Sequence, residues 1–262
     1  MIKYIVLLAI SLSSLISKDI LVFSAISKEK PTKMIADYKE FLNYVGNYID
    51  KKIIFEFVAD YNELTDRLSS GNIDLAYLGP LPYADIKSKN SSIVPVVTFL
   101  DKSGSAFYTC SIIGLKKYNT KLENIQKIAT SQSLSTCGPM NVNIAYQGSK
   151  LPQINTKTSH VDAIVSLLTG EANGASVQTS IAKKYLWHGM DILWESSSYP
   201  SFLLVANKKT IDKDIYEKIQ VALTTTNQKL TSSWGDNIKW GAIKANEDTY
   251  SQIIDIAKRY HK

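Results

Sequence analysis

The residues best suited to hold something small are hydroxyls in front of a helix. Ser131-Gln132-Ser133-Leu134-Ser135-Thr136-Cys137-Gly138 leads into Pro139, a residue that fits a first helical turn. Free backbone N–H groups point outward from such a start, and the helix dipole there favours an anion. Ser135 and Thr136 can donate to phosphate-like oxygens with no counter-charge to strip of water. The same residues suit an ordinary helix cap, and spacing alone does not separate the two uses. A second segment, 71–84, runs a buried strand into Gly79-Pro80 and then into a new helix. Glycine at that joint lets the backbone approach a ligand closely, although a plain strand–turn–helix connection reads the same way. Asp74 falls at the strand's other end and reads as structural.

Other chemistry finds little support. There is no Gly-x-Ser-x-Gly elbow, phosphate-binding P-loop, paired-histidine motif or dinucleotide fingerprint, so an enzyme is not expected. His160, His188 and His261 are scattered and make no metal pattern, and no cofactor is expected. The 262 residues carry a net charge of +6, with lysines in separate short groups rather than a stripe. Nucleic acid is therefore not the expected partner; a diffuse field that gathers small anions and a merely solvated basic surface both fit. Cys110 and Cys137 are too few for a disulfide framework. Three readings stay open for them: two buried thiols, a disulfide formed after export, or a thiol-bearing site.

These segments need elements to place them. Short apolar runs at 20–24, 53–58, 73–78 and 93–100 predict buried strands, separated by helix-period stretches from Pro31 and over 61–68 and 81–87. On the first helix, Ile35, Tyr38, Leu42, Val45 and Ile49 share one predicted face. A strand over 107–115 leads to a second unit. Its strands are expected near 128–129, 154–158, 175–177 and 192–195, and its helices over 139–147, 161–168 and 179–187. A strand at 202–206 returns, and helices over 212–232 and 247–259 finish the chain. Alternating units of this kind predict an α/β fold with largely parallel sheets. Two such units joined through 107–114 and 202–206 predict a clamshell with a cleft beyond the strand ends. At the N-terminus, Lys3 and the apolar stretch 4–16 predict a cleaved signal peptide over 1–17, too short for a span of ~20 residues. An uncleaved anchor or a buried element reads similarly. Cleavage would remove Lys3 and leave a charge of +5.

In order along the chain, Asp60-Tyr61, the Gly71 to Pro80 run, Tyr108-Thr109 and Ser135-Thr136-Cys137-Gly138 resemble the phosphate/phosphite/phosphonate family of periplasmic substrate-binding proteins of ABC transporters. The resemblance covers nearly all of the chain after the signal. It implies the type II periplasmic-binding-protein clamshell: one lobe from 18–110 plus 204–262, the other from 111–203, joined by two crossing strands. It implies a periplasmic, monomeric binding protein that captures phosphate, phosphite or a simple phosphonate for an ABC permease. The alternative is an oxyanion sensor for phosphite or arsenite docking on a membrane receptor kinase. Carried over by position, the ligand would meet Tyr61, Tyr108, Ser135, Thr136, Cys137 and His160. A one-residue shift would put Phe107 in place of Tyr108. Cys137 stands where the pattern has a second serine, so a thiol replaces a hydroxyl. Aminophosphonate binders of the family hold the ligand's ammonium with second-lobe carboxylates. The corresponding stretches here, 174–180 and 198–204, contain none. The expectation is weak preference for aminoalkyl ligands, with Gln178 and Thr179 making neutral contacts.

Overall fold

Ile20–Ala25 forms the first strand, β1, with Leu21, Phe23 and Ala25 buried on the face that α1 (Pro31–Ile49) covers. The computed structural model describes residues 18–26 and 31–260, so the expected signal peptide lies outside the described residues. On α1 the buried side chains are Met34, Tyr38, Phe41, Leu42, Val45 and Ile49, whereas Ile35 is 46% exposed. Tyr38, Leu42, Val45 and Ile49 thus form the buried stripe as predicted, and Met34 and Phe41 rather than Ile35 complete it. Next come β2 (Lys52–Phe55), α2 (Tyr61–Ser70), β3 (Leu75–Leu78), α3 (Pro80–Lys89) and β4 (Ile93–Phe99).

The predicted strand over 107–115 is broken at Thr109 into β5 (Phe107–Tyr108) and β6 (Cys110–Leu115). Beyond it lie β7 (Lys127–Thr130), α4 (Pro139–Ala145), β8 (Gln153–Thr156), α5 (His160–Leu168), β9 (Gly174–Gln178), α6 (Thr179–Tyr185) and β10 (Met190–Glu195). The chain returns through β11 (Tyr199–Pro200) and β12 (Leu203–Asn207), and ends with α7 (Lys213–Thr224), α8 (Gln228–Thr231), β13 (Ala242–Lys244) and α9 (Ser251–Tyr260). The single helix predicted over 212–232 is therefore two. Thr224 and Thr225 turn their hydroxyls back onto the carbonyls of Gln220 and Val221, and Asn227 caps α8 by accepting from Leu230 N. Such local bonding competes with helix continuation.

Two main sheets result. The first has the order β13-β4-β12-β3-β1-β2, with β12 antiparallel between β3 and β4. The second has the order β10-β6-β9-β7-β8, with β7 parallel to both β8 and β9. A two-stranded ribbon joins them, β5 against β11, with Tyr108 opposite Tyr199 and Phe107 opposite Pro200. Both passages between lobes run through this ribbon, and it forms the hinge of an α/β clamshell. Asp74 is structural, as expected: fully buried, it accepts from Val22 N at 2.8 Å and from Lys18 Nζ at 2.9 Å.

Candidate functional site

The strands β7 and β8 of the second lobe end facing the first lobe. There they deliver Gln132 and Ser133 after one strand and Thr156, Lys157, Thr158 and Asp162 after the other. Opposite them stand Ala59, Asp60, Tyr61 and Asn62 at the start of α2. Together these enclose a cleft of about 550 Å³. Asp60 caps α2 by accepting from Glu63 N at 2.9 Å. Asp162 accepts from the hydroxyls of Thr158 and Ser159, and these bonds hold its carboxyl below the usual range. Lys157 is paired with Glu171.

Deeper toward the hinge, the loop 131–138 folds into two tight turns. Ser135 N donates to Gln132 O, and Gly138 N to Ser135 O, both at 2.8 Å. A Cβ on Gly138 would stand 2.6 Å from Gln132 O, so only glycine closes this loop. The loop touches both lobes. Leu134 is buried with Tyr61, Leu64, Leu68 and Tyr83 in a first-lobe core. Thr136 Oγ1 accepts from Leu81 N, in the first turn of α3, at 3.2 Å. The Thr136 side chain also lies beside the Tyr108 hydroxyl, near enough to favour its charged form. Tyr108 is half-buried, its ring 5.8 Å from Phe202 and 6.3 Å from Tyr199, whereas Phe107 is 46% exposed. The inward ring of this strand is therefore Tyr108, not its neighbour. Burial raises the Tyr108 and Tyr61 hydroxyls far above the ordinary phenol value, so both stay protonated donors. Leu81 N–H, which donates to Thr136, thus meets the Thr136 and Tyr108 hydroxyls in one small region, with no cation among the three. The Thr136 and Tyr108 hydroxyls are neutral groups of the kind that can donate to an oxygen-rich anion.

The cysteines take the second of their three readings. Cys110 and Cys137 form a disulfide, with Cα atoms 5.2 Å apart, and there are no free cysteines. Cys137 as a thiol donor to the ligand is corrected: its sulfur is bonded, and the side chain is 2% exposed among Leu81, Ala84, Met140 and Tyr199. The same bond removes the thiol-based arsenite sensor. A disulfide suits an oxidising compartment outside the cytoplasm.

Residues 23–250 match the family model of the periplasmic substrate-binding protein of phosphonate ABC transporters. The chain belongs to this family. Similar shapes recur in solved structures. PhnD1 from Prochlorococcus marinus, in complex with methylphosphonate, has a TM-score of 0.79 at 13% identity over 93% of this chain and 99% of that one. A protein from Xanthomonas citri bound to ATP gives 0.78 at 12% identity, over 93% and 98%. A binding protein component of an ABC phosphonate transporter from Pseudomonas aeruginosa gives 0.74 at 15% identity, over 93% and 88%. At such identities the structures speak for the type II clamshell fold. The family is one of periplasmic transport proteins that serve a membrane permease, not of enzymes. Among the described residues, no helix is long and apolar enough to cross a membrane.

Of the residues carried over by resemblance, Tyr61 lines the cleft, while Tyr108 and Thr136 meet at the hinge. Ser135 is half-buried in the loop between them. His160 begins α5 and is 8% exposed; its neighbours Thr158 and Asp162, rather than His160, line the cleft. The carboxylates Asp60 and Asp162 were not among the sequence candidates, and both face the cleft. A third, Glu195, accepts from Thr109 Oγ1 at 2.6 Å beside the hinge. The ground for expecting poor aminoalkyl binding was a lack of acids in two stretches. That ground does not extend to the cleft as a whole.

Proposed function

We propose that this protein captures a small phosphorus oxyanion (phosphate, phosphite or a simple phosphonate) and presents it to the permease of an ABC transporter. The observation that carries the reading is the meeting of Thr136, Tyr108 and Leu81 N–H where the two lobes touch. An anion oxygen seated there would draw donors from both lobes at once. Binding would therefore favour the closed arrangement, in which the permease recognises both lobes together. The moving units are the lobes 18–110 plus 204–262 and 111–203, turning about the β5–β11 ribbon. Ser135 supplies a further hydroxyl from the loop, and Tyr61 bounds the seat from α2. The protein acts as a monomer.

Thermal unfolding of the mature, ligand-free chain against phosphate, phosphite, methylphosphonate, aminoethylphosphonate and sulfate tests this. A true ligand at ~1,000 times its dissociation constant stabilises the fold by about 4 kcal/mol. The expected result is a large shift with one phosphorus oxyanion, lost in Thr136→Val. The absence of a shift with every phosphorus compound would overturn the reading. Comparing aminoethylphosphonate with methylphosphonate decides whether Asp60, Asp162 or Glu195 serves a ligand ammonium.

A further inference from the structure

At the end of the second sheet away from the cleft, two turns lie side by side. Strand β7 runs toward the cleft, and β6 runs antiparallel to its neighbour β9, so Leu115 lies at the distal end. There Leu115 pairs with Met190, and Lys116 N donates to Gly189 O at 2.9 Å. The turn 116–118 is closed by Asn119 at φ 46°, and the turn 186–188 by Gly189 at φ 80°. Each turn carries an aromatic ring into solvent: Tyr118 is 68% exposed and Trp187 78%, the highest values among the exposed large hydrophobics of the described residues. The Trp187 indole N–H donates to Lys184 O at 2.8 Å, which fixes the ring, and the His188 ring packs against it. Lys117 Nζ sits 4.7 Å from the Tyr118 ring centre. The two turns and the residues flanking them in sequence carry five lysines, Lys116, Lys117, Lys121, Lys183 and Lys184, and two acids, Glu123 and Asp191; Lys184 also lies within electrostatic reach of Asp236 of the first lobe. Asp191 is paired with Lys116 at 3.3 Å.

We propose that this tip docks on an anionic lipid surface. Trp and Tyr are the rings that settle at a water–lipid boundary, where one part of the side chain is apolar and the other hydrogen-bonds. Clustered lysines add attraction to anionic headgroups. Protein interfaces, by contrast, are depleted of lysine, so the mixture of lysine with exposed aromatics favours a membrane over a protein partner. Docked by its distal tip, the protein keeps the cleft and the hinge ribbon clear. The protein would thereby search for its permease along the membrane surface rather than through the full volume outside it.

Flotation of the mature chain with phosphatidylcholine vesicles, with and without phosphatidylglycerol, tests the proposal. Binding is expected only to the anionic vesicles, falling as salt rises, with a change in Trp fluorescence. Tyr118→Ala/Trp187→Ala should abolish it, and Lys117→Gln should lower partitioning about fivefold. These variants leave the cleft intact, so their melting points and oxyanion response should match the parent. Failure to float with anionic vesicles overturns the proposal. So do equal binding to neutral vesicles and unaltered binding by the double variant. A photo-crosslinker at position 187 that captures permease rather than lipid overturns it too.

Discussion

Removing the Cys110–Cys137 disulfide should cost both stability and the ligand response. The bond joins the first residue of β6 to the loop that carries Ser135 and Thr136, across a sequence separation of 27. Closing a loop of that length in the unfolded chain removes about 12 cal/mol/K of entropy, or about 3.5 kcal/mol at 25 °C. For a chain of this size each kcal/mol moves the melting temperature by about 2–4 °C. Cys110→Ala/Cys137→Ala should therefore melt roughly 7–14 °C below the parent. Changing both residues avoids stranding one buried thiol. Reducing the parent with dithiothreitol should reproduce the shift, and thiol titration of the unfolded, unreduced chain should find no free thiols. The loop keeps its anchor at Leu134 but loses the one at residue 137. Thr136 should then be held less firmly against Leu81 N–H, and the oxyanion-induced melting shift should shrink. A reduced protein melting within about 3 °C of the oxidised one, with thiols shown to be free, would refute the reasoning.

Further outcomes follow from single contacts. Asp74→Ala leaves the Val22 N–H without its buried acceptor and should lower stability by about 2–3 kcal/mol in urea titration, with ligand affinity preserved. Gly138→Ala drives a Cβ to 2.6 Å from Gln132 O and should abolish the oxyanion response while far-UV circular dichroism stays native. Tyr108→Phe removes one neutral hydroxyl beside Thr136 and should weaken ligand binding about three- to tenfold by calorimetry. The Asp162 carboxyl is held below its unfolded value by the Thr158 and Ser159 hydroxyls. Its stabilising effect is therefore complete above the ordinary Asp range and is lost as pH falls through the lower, folded value. Acid titration of Asp162→Asn should show a shallower loss of stability in that window.

The fold was legible because strand and helix periods differ and because turn residues mark the joints. The 71–84 run was placed correctly, from the glycine that ends α2 to the proline that opens α3, since its chemistry is local. The misses have physical causes. β11 is two residues long and includes Pro200, and β13 is three residues at a sheet edge, so neither repeats often enough to show a period. On α1 the spacing finds Tyr38, Leu42, Val45 and Ile49 but not the edge of the stripe, where Met34 and Phe41 are buried and Ile35 is exposed.

The site divides along the same line. Thr136 stands out because a hydroxyl before a helix is a local signal, whereas Tyr108 is singled out only by the family resemblance. Leu134 does not stand out. Nothing in Ser133-Leu134-Ser135 says that the leucine belongs to the other lobe's core, yet that insertion carries the loop across the cleft to α3. The disulfide had the same obstacle: residues 27 apart give no sign of being 5.2 Å apart until β6 and the loop are placed. The cleft mouth is harder still. Asp60 is the N-cap of α2 and Asp162 sits in the first turn of α5, places where an acid is expected for reasons of capping and dipole. Their sequence signature is fully explained by the helix, so their place on the cleft wall leaves no trace in it. Only the meeting of the two lobes brings these carboxylates to one wall, and that is why charge at the mouth must be read from the assembled cleft rather than from the chain.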